Sequence, residues 1–384
     1  MDADLRQPLR RKSRRDRLKS LSPTPLRTAT VLLLISALGL VFWLSNHYDP
    51  ALHEPVVHLR IEPIASTHTA SITKARPADL PEDDAVDLFS NTEGSSQELQ
   101  TTETRTAVII APRIKLTPAP AKGFVENGSS GPLPKLSSDG RRPFDVYRRP
   151  VHQGILQSSQ PKIAILLGGM GLNGGLTDRA VRTLPEEITL AFAPYGTNLQ
   201  QTINDARDRG HEVMLQLPME PFGYPNLDPG PHTLLVSADS KSTAASLSWH
   251  LSRFTGYTGV VNYLGARFTS ETAAMIPVIQ TLKDRGLVYL EDGLSQRSVA
   301  DEIAAGIDLP TRQADIILDG EPNFSAISAK LQKLEQMSRD GRIVIGVGTG
   351  LPATIDAVAN WTQKLQSRGI LLVPVSAAFR ARPG

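Results

Sequence analysis

Hydrophobic positions divide the chain into three textures. Residues 29–44 form one uncharged apolar run, ATVLLLISALGLVFWL, behind a head rich in Lys and Arg. From Asn46 to about Gln160 apolar periodicity is absent, and Pro, Ser, Thr, Ala and Glu dominate. From Lys162 onward, short β-branched runs alternate with amphipathic stretches. These predict strands over 163–167, 188–192, 212–217, 259–262, 287–290, 315–318, 342–347 and 371–375. Helical periodicity fills the gaps at 177–184, 199–209, 240–253, 270–285, 298–305, 324–339 and 352–368. Continuous apolar strands are covered on both faces, which means a parallel sheet. Arg209-Gly210, Arg285-Gly286 and Arg368-Gly369 place a cation and then a left-handed glycine at three helix ends. The predicted fold is an α/β distorted (β/α)7–8 barrel over 161–384, since a run of seven or eight βα units suits closure better than an open sheet.

Charge sharpens the rest of the chain. The net charge of +2 is an average: residues 1–27 hold nine Lys/Arg against three Asp, and the remainder is mildly acidic. A basic body that binds nucleic acid is therefore excluded. The head followed by the apolar run reads as a cytoplasmic segment, 1–27, and one transmembrane signal-anchor helix, 28–45, short for a span and edged by Trp43. The competing reading is a cleaved signal peptide, against which the long head and the lack of a small-x-small site both count. Residues 46–160 are expected to be a disordered Pro/Ser/Thr-rich linker, with strings such as Pro118-Ala119-Pro120 and Gly128-Ser129-Ser130-Gly131-Pro132. The chain has no cysteine, which removes disulfides, thiolate metal sites and thiol catalysis.

A βα barrel carries its chemistry at the carboxyl ends of its strands. The residues there are Gly168-Gly169, Tyr195, Gln216, Glu220, Asn262, Tyr263, Arg267, Glu291, Asp292, Asp319 and Thr349-Gly350. Among these loops, Gly346-Val347-Gly348-Thr349-Gly350 lacks the Lys-Ser/Thr of a phosphate loop. Glycines on two loops are expected to leave N–H groups for a carboxylate or sugar hydroxyl. Phe192, Tyr195, Phe222, Tyr224 and Tyr263 offer stacking faces, or simply pack the mouth.

Leu217-Pro218-Met219-Glu220-Pro221 and Gly265-x-Arg267-Phe268-Thr269, with segments at 161–171, 188–195, 228–231, 297–300 and 351–354, resemble the divergent polysaccharide deacetylase family. That family belongs to a class of distorted βα barrels. The resemblance covers 161–384 and implies an Asp-Asp pair after the first strand, where this chain has Gly168 and Gly169. The family's two histidines fall on Gln216 and Tyr263, its Asp-Ser-Arg on Glu291-Asp292-Gly293, and its His-Pro on Thr349-Gly350. Asp319 matches a family acid, and Glu220, Asn262 and Arg267 match polar positions.

Metal-assisted deacetylation needs ligands with an open position, a carboxylate base and an acid for the leaving amine. Glycine and threonine supply none of these. Five of eight histidines (His47, His53, His58, His68, His152) lie before the barrel, and His211, His232 and His250 match no ligand position. The leading expectation is thus a pseudoenzyme without catalytic residues or metal, binding a glycan or cell-envelope protein. In a bacterium it would be single-pass in the inner membrane, with a periplasmic barrel. One alternative is an active carbohydrate deacetylase with a divalent metal relocated to Glu220, Glu291, Asp292 and Asp319. The other is a structural envelope protein.

Overall fold

The computed structural model describes residues 114–379. The expected head 1–27, the expected span 28–45 and the linker up to residue 113 lie outside the described residues. No helix among the described residues is long and apolar enough to cross a membrane.

Each predicted strand and helix is present, within a few residues at its ends, with two exceptions. The helix predicted over 352–368 stops at Thr362 ahead of a separate 3-10 turn, Gln366–Arg368, and the strand predicted over 371–375 is paired only at Leu371–Leu372. The barrel strands are β3 (Lys162–Met170), β4 (Thr189–Phe192), β5 (Val213–Met219), β6 (Gly259–Leu264), β7 (Val288–Glu291), β8 (Thr311–Gln313), β9 (Ile316–Ile317), β10 (Ile343–Thr349) and β11 (Leu371–Leu372). They run parallel in the order β8-β7-β6-β5-β4-β3-β10-β9, with β11 also on β3. The two ends of that order are neighbours in sequence. One extended stretch pairs with β7 through β8 and with β10 through β9, so the backbone itself closes the ring. Ala314 N donates to Glu291 O on one side and Asp315 N to Ile345 O on the other, at 2.8 Å each.

Strand side chains alternate between two faces. Ala164, Leu166, Met214, Val261, Leu290, Ile345 and Val347 fill the barrel, whereas Ile165, Leu167, Leu215, Val260, Tyr289 and Val344 face the helices. The outer layer is α3 (Gly174–Thr183), α4 (Leu199–Asp208), α5 (Ser240–Leu251), α6 (Thr272–Asp284), α7 (Ala300–Gly306), α8 (Phe324–Met337) and α9 (Pro352–Thr362). Asn173, Asp239 and Asn323 cap α3, α5 and α8 by accepting from the N–H three residues on. Arg209-Gly210 and Arg285-Gly286 end α4 and α6 as expected, while Arg368-Gly369 closes a 3-10 turn instead of α9; φ is +95°, +67° and +66° at Gly210, Gly286 and Gly369.

The expected linker is corrected over its described part, 114–160. Here the chain forms a hairpin, β1 (Val125–Gly128) with β2 (Gly131–Pro134), and two short helices, α1 (Pro143–Tyr147) and α2 (Gln153–Gln157). The Gly/Ser string is the hairpin's two-residue turn. Leu116, Phe124, Leu133, Phe144 and Tyr147 are buried against the barrel, and Phe144 meets Phe379 edge-on at 6.1 Å. Burial of these few large side chains offsets the ordering entropy that the polar composition seemed unable to meet. His152 belongs to this arm: its Nδ1 accepts from Gly154 N and caps α2.

Candidate functional site

The carboxyl ends of β3, β4, β5, β6 and β10 surround a cavity of about 390 Å³. Gly169, Tyr195, Gln216, Tyr263 and Thr349 line it, so the structure brings these five candidates together. Alternation explains the choice: Gln216 continues the inward series from Met214, Tyr263 from Val261, and Thr349 from Val347. Gly168 lies on the same inward face. A Cβ there would sit 2.4 Å from Gln216 Nε2, so the glutamine amide fills the space of a side chain at this position. Gly169 N donates to Gln216 Oε1 at 2.6 Å, which holds the amide in place. Gly169 itself has φ of +76°, a conformation that suits glycine.

The loop N–H groups expected to meet a ligand are engaged within the chain. Besides Gly169, Gly171 N donates to Thr177 Oγ1 and Gly350 N to Gly168 O. Tyr195 Oη donates to Pro231 O at 2.7 Å, and burial raises its phenol above its ordinary value. Of the other proposed stacking faces, Phe192 is buried in the outer layer against Phe254, and neither Phe222 nor Tyr224 lines the cavity.

The remaining candidates have other tasks. Glu220 is buried; its Oε1 accepts from Arg267 Nη1 at 2.5 Å and its Oε2 from Val236 N at 2.6 Å. It thereby ties the loop after β5 to the loop after β6. Asn262 faces outward, donating to Leu264 O and accepting from Asp292 N. The Leu264 it steadies is left-handed, at φ of +56°. Asp319 Oδ2 accepts from Thr349 N, Thr349 Oγ1 and Thr354 Oγ1 at 2.6, 2.5 and 2.9 Å. Asp292 accepts from Leu294 N, and burial raises its carboxyl. Among the described residues no three His, Asp or Glu groups converge where a metal could be held. The carboxylate set Glu220, Glu291, Asp292 and Asp319 is therefore not assembled.

The barrel histidines are held by backbone and rings. His211 is sandwiched between Ile188 O and Val181 O. His250 Nε2 contacts His232 O, and burial brings its imidazole down to about 4. His232 stacks on Trp249 at 4.2 Å.

Glu291 ends β7 on the helix side, two residues from Tyr289. Its Oε1 and the Tyr289 hydroxyl are buried without hydrogen-bond partners. Burial pushes this carboxyl up to about 7 from the ordinary 4.5, outweighing a hydrogen bond from Ser298. With the folded value raised, the linked stability is present below about pH 4.5 and lost as pH climbs through 7. Glu291→Gln is expected to abolish a loss of about 2 kcal/mol between pH 5 and pH 8. Urea midpoints at both pH values read this, and a wild-type pH slope retained in the variant would refute the assignment.

Sequence reasoning missed the apolar walls: Met170, Leu172, Leu176, Pro194, Pro218 and Leu351. Their signal was available, since Leu172 and Leu351 are leucines set directly after glycine turns on βα loops.

The divergent polysaccharide deacetylase profile matches residues 165–379. An uncharacterized protein of Agrobacterium tumefaciens C58, known by crystal structure, is 42% identical; the match covers 64% of this chain and 99% of that one, with a TM-score of 0.62. An uncharacterized protein of Haemophilus influenzae is 23% identical over 51% of this chain and 69% of its own length. The uncharacterized protein YibQ of Escherichia coli K12 is 24% identical over 50% of this chain and 60% of its own length. Strand order, the strings after β5 and β6, and the profile match agree: this chain belongs to the divergent polysaccharide deacetylase family.

Proposed function

We propose that this chain is a metal-independent binding member of its family, taking a cell-envelope ligand into the cavity at the barrel mouth. It is anchored in the inner membrane through residues 28–45, with the barrel in the periplasm. The observation that carries the reading is the pair Gly168 and Gln216. The first has no side chain, and the second occupies the space an aspartate would need. Gln216, Tyr263 and Thr349 do not make a divalent-metal site, and the acids nearby are engaged elsewhere. The residues present thus do not fit the metal that the family's chemistry uses, and no step is routed through one.

The full-length chain, purified and freed of adventitious ions, is expected to hold only substoichiometric metal and to release no acetate from chitooligosaccharides. Stoichiometric Zn²⁺ or Mn²⁺, with acetate release that a chelator abolishes, would overturn the reading. In alkaline carbonate extraction the full chain is expected to stay with the membrane pellet; recovery in the supernatant would remove the anchor.

A further inference from the structure

The cavity has few polar groups to offer a ligand, because most of those lining it are already bonded inside the protein. Thr177 Oγ1 donates to Asn173 O and accepts from Gly171 N. Asn173 Oδ1 accepts from Leu176 N, Thr349 Oγ1 donates to Asp319, and Tyr195 Oη donates to Pro231 O. Gln216 Oε1 is taken by Gly169 N. Three donor groups stay without a partner among the described residues: Gln216 Nε2, the Tyr263 hydroxyl and, at the loop after β3, Asn173 Nδ2. The first two lie on adjacent strands, β5 and β6, with Pro218 in register with Tyr263. Apart from the bonded groups above and glycine, the rest of the lining is aliphatic, aromatic or prolyl.

A sugar ring carries hydroxyls around its whole edge, and each hydroxyl buried without a partner costs about 1–3 kcal/mol. Three free donors cannot satisfy every hydroxyl of such a ring. The two on β5 and β6 can satisfy one carbonyl or carboxyl oxygen at the end of an apolar body. The surroundings extend the same character outward. Of the ten large apolar side chains exposed among the described residues, seven lie at or just beyond the carboxyl ends of the barrel strands, with Leu172 at 60% and Phe222 at 66%. An apolar chain leaving the cavity therefore meets apolar side chains at the rim, where Asp228 beside Pro229 is also exposed. The cavity's volume of about 390 Å³ also exceeds what a single inserted side chain fills.

From this we infer that the mouth of the barrel is an acyl-chain site. It takes a hydrocarbon chain with one carbonyl-bearing end, which Gln216 Nε2 and the Tyr263 hydroxyl receive. The inference rests on the proposed binding role of this cavity and names its ligand class. A free fatty acid and the acyl chain of a membrane lipid share that chemistry.

The test uses residues 114–384, which lie within one compact unit of arm and barrel. Saturated fatty acids of graded length, kept below their micellar concentrations, are titrated calorimetrically, alongside lysophospholipids of matched chains and chitotetraose. Affinity is expected to rise about fourfold per added methylene until the cavity is full, and then to level. Leu172→Asp and Leu351→Asp sit at exposed positions and leave the fold intact. Each is expected to weaken binding by about tenfold, the equivalent of removing nearly two buried methylenes. The same slope with lysophospholipids assigns the membrane lipid as source; binding of fatty acids alone assigns the free acid. A flat dependence on chain length, unchanged affinity in both Asp variants, or chitotetraose competing for the cavity would overturn the inference. Those outcomes leave the metal-independent reading standing. Metal-dependent acetate release would instead overturn that reading without altering the chain-length slope.

Discussion

Arg207→Ala is expected to cost about 3–5 kcal/mol and to free residues 114–160 from the barrel. Arg207 lies on α4 with only 3% of its surface exposed. Its Nη1 donates to Tyr147 O and Gly256 O at 3.0 and 2.8 Å, and its Nη2 to Thr117 O at 2.7 Å. The guanidinium also lies over the Tyr147 ring, 5.1 Å from its centroid. Two of the three carbonyls belong to the arm and one to the loop before β6, so a single fork holds both. Burial brings the guanidinium down to about 10, which leaves it charged throughout the neutral range. Truncation strands three carbonyls and a cavity together. Arg207→Lys is expected to recover only part of the loss, because an ammonium cannot reproduce the planar fork. Denaturant unfolding gives the energy. Limited proteolysis gives the location: new cleavage within 114–160, with the barrel strands still protected. Cleavage spread evenly over the barrel would mean that the arm is no separable element.

That arm is also where sequence and structure part. In the barrel, strands such as β3 and β10 are unbroken apolar runs, and the Arg-Gly signals mark helix ends, because repeated packing against one sheet imprints a period. Leu116, Phe124, Leu133, Phe144 and Tyr147 are single anchors in a polar, proline-rich context. Leu133 joins the core on the helix side and Phe144 the core inside the barrel, so no single period records them. The strand that closes the ring was half hidden for a related reason. Thr311-Arg312-Gln313 carries polar side chains into β8, while only the apolar continuation reads as a strand.

The site was legible to the extent that alternation was followed beyond the apolar runs. Gln216, Tyr263 and Thr349 fall inward by simple extension of their strands. Asn262 and Glu291 fall outward by the same rule. What alternation cannot disclose is engagement. Glu220 and Asp319 sit at suitable places in the sequence, yet Arg267 and the threonines already hold them. The commitment of a polar group depends on loops that meet only in three dimensions.

Glu212 is the counterpart of Arg207 at the amino ends of the strands, and Glu212→Ala is expected to cost about 3–5 kcal/mol. It stands just before β5, fully buried. Its Oε2 accepts from Arg149 N at 3.1 Å, and its Oε1 from Ser376 N at 3.0 Å and Thr189 Oγ1 at 3.3 Å. The Thr189 hydroxyl accepts from Val375 N, which leaves its own proton for the glutamate. One carboxyl thus joins the N-terminal arm, β4 and the C-terminal turn. Alanine leaves three donors unsatisfied where water cannot reach. Glutamine keeps an oxygen for Ser376 and Thr189 but turns an amide N–H₂ toward the Arg149 N–H, at a cost of about 1–3 kcal/mol. Burial raises the Glu212 carboxyl above its ordinary value. Its linked stability is then present at acid pH and lost as pH rises past the ordinary carboxylate range. Glutamine has no such dependence, so the gap between wild type and Glu212→Gln is expected to narrow from pH 5 to pH 8. Urea unfolding of all three proteins at both pH values measures it. A gap that widens with pH would mean that the three donors outweigh burial and hold Glu212 as a carboxylate.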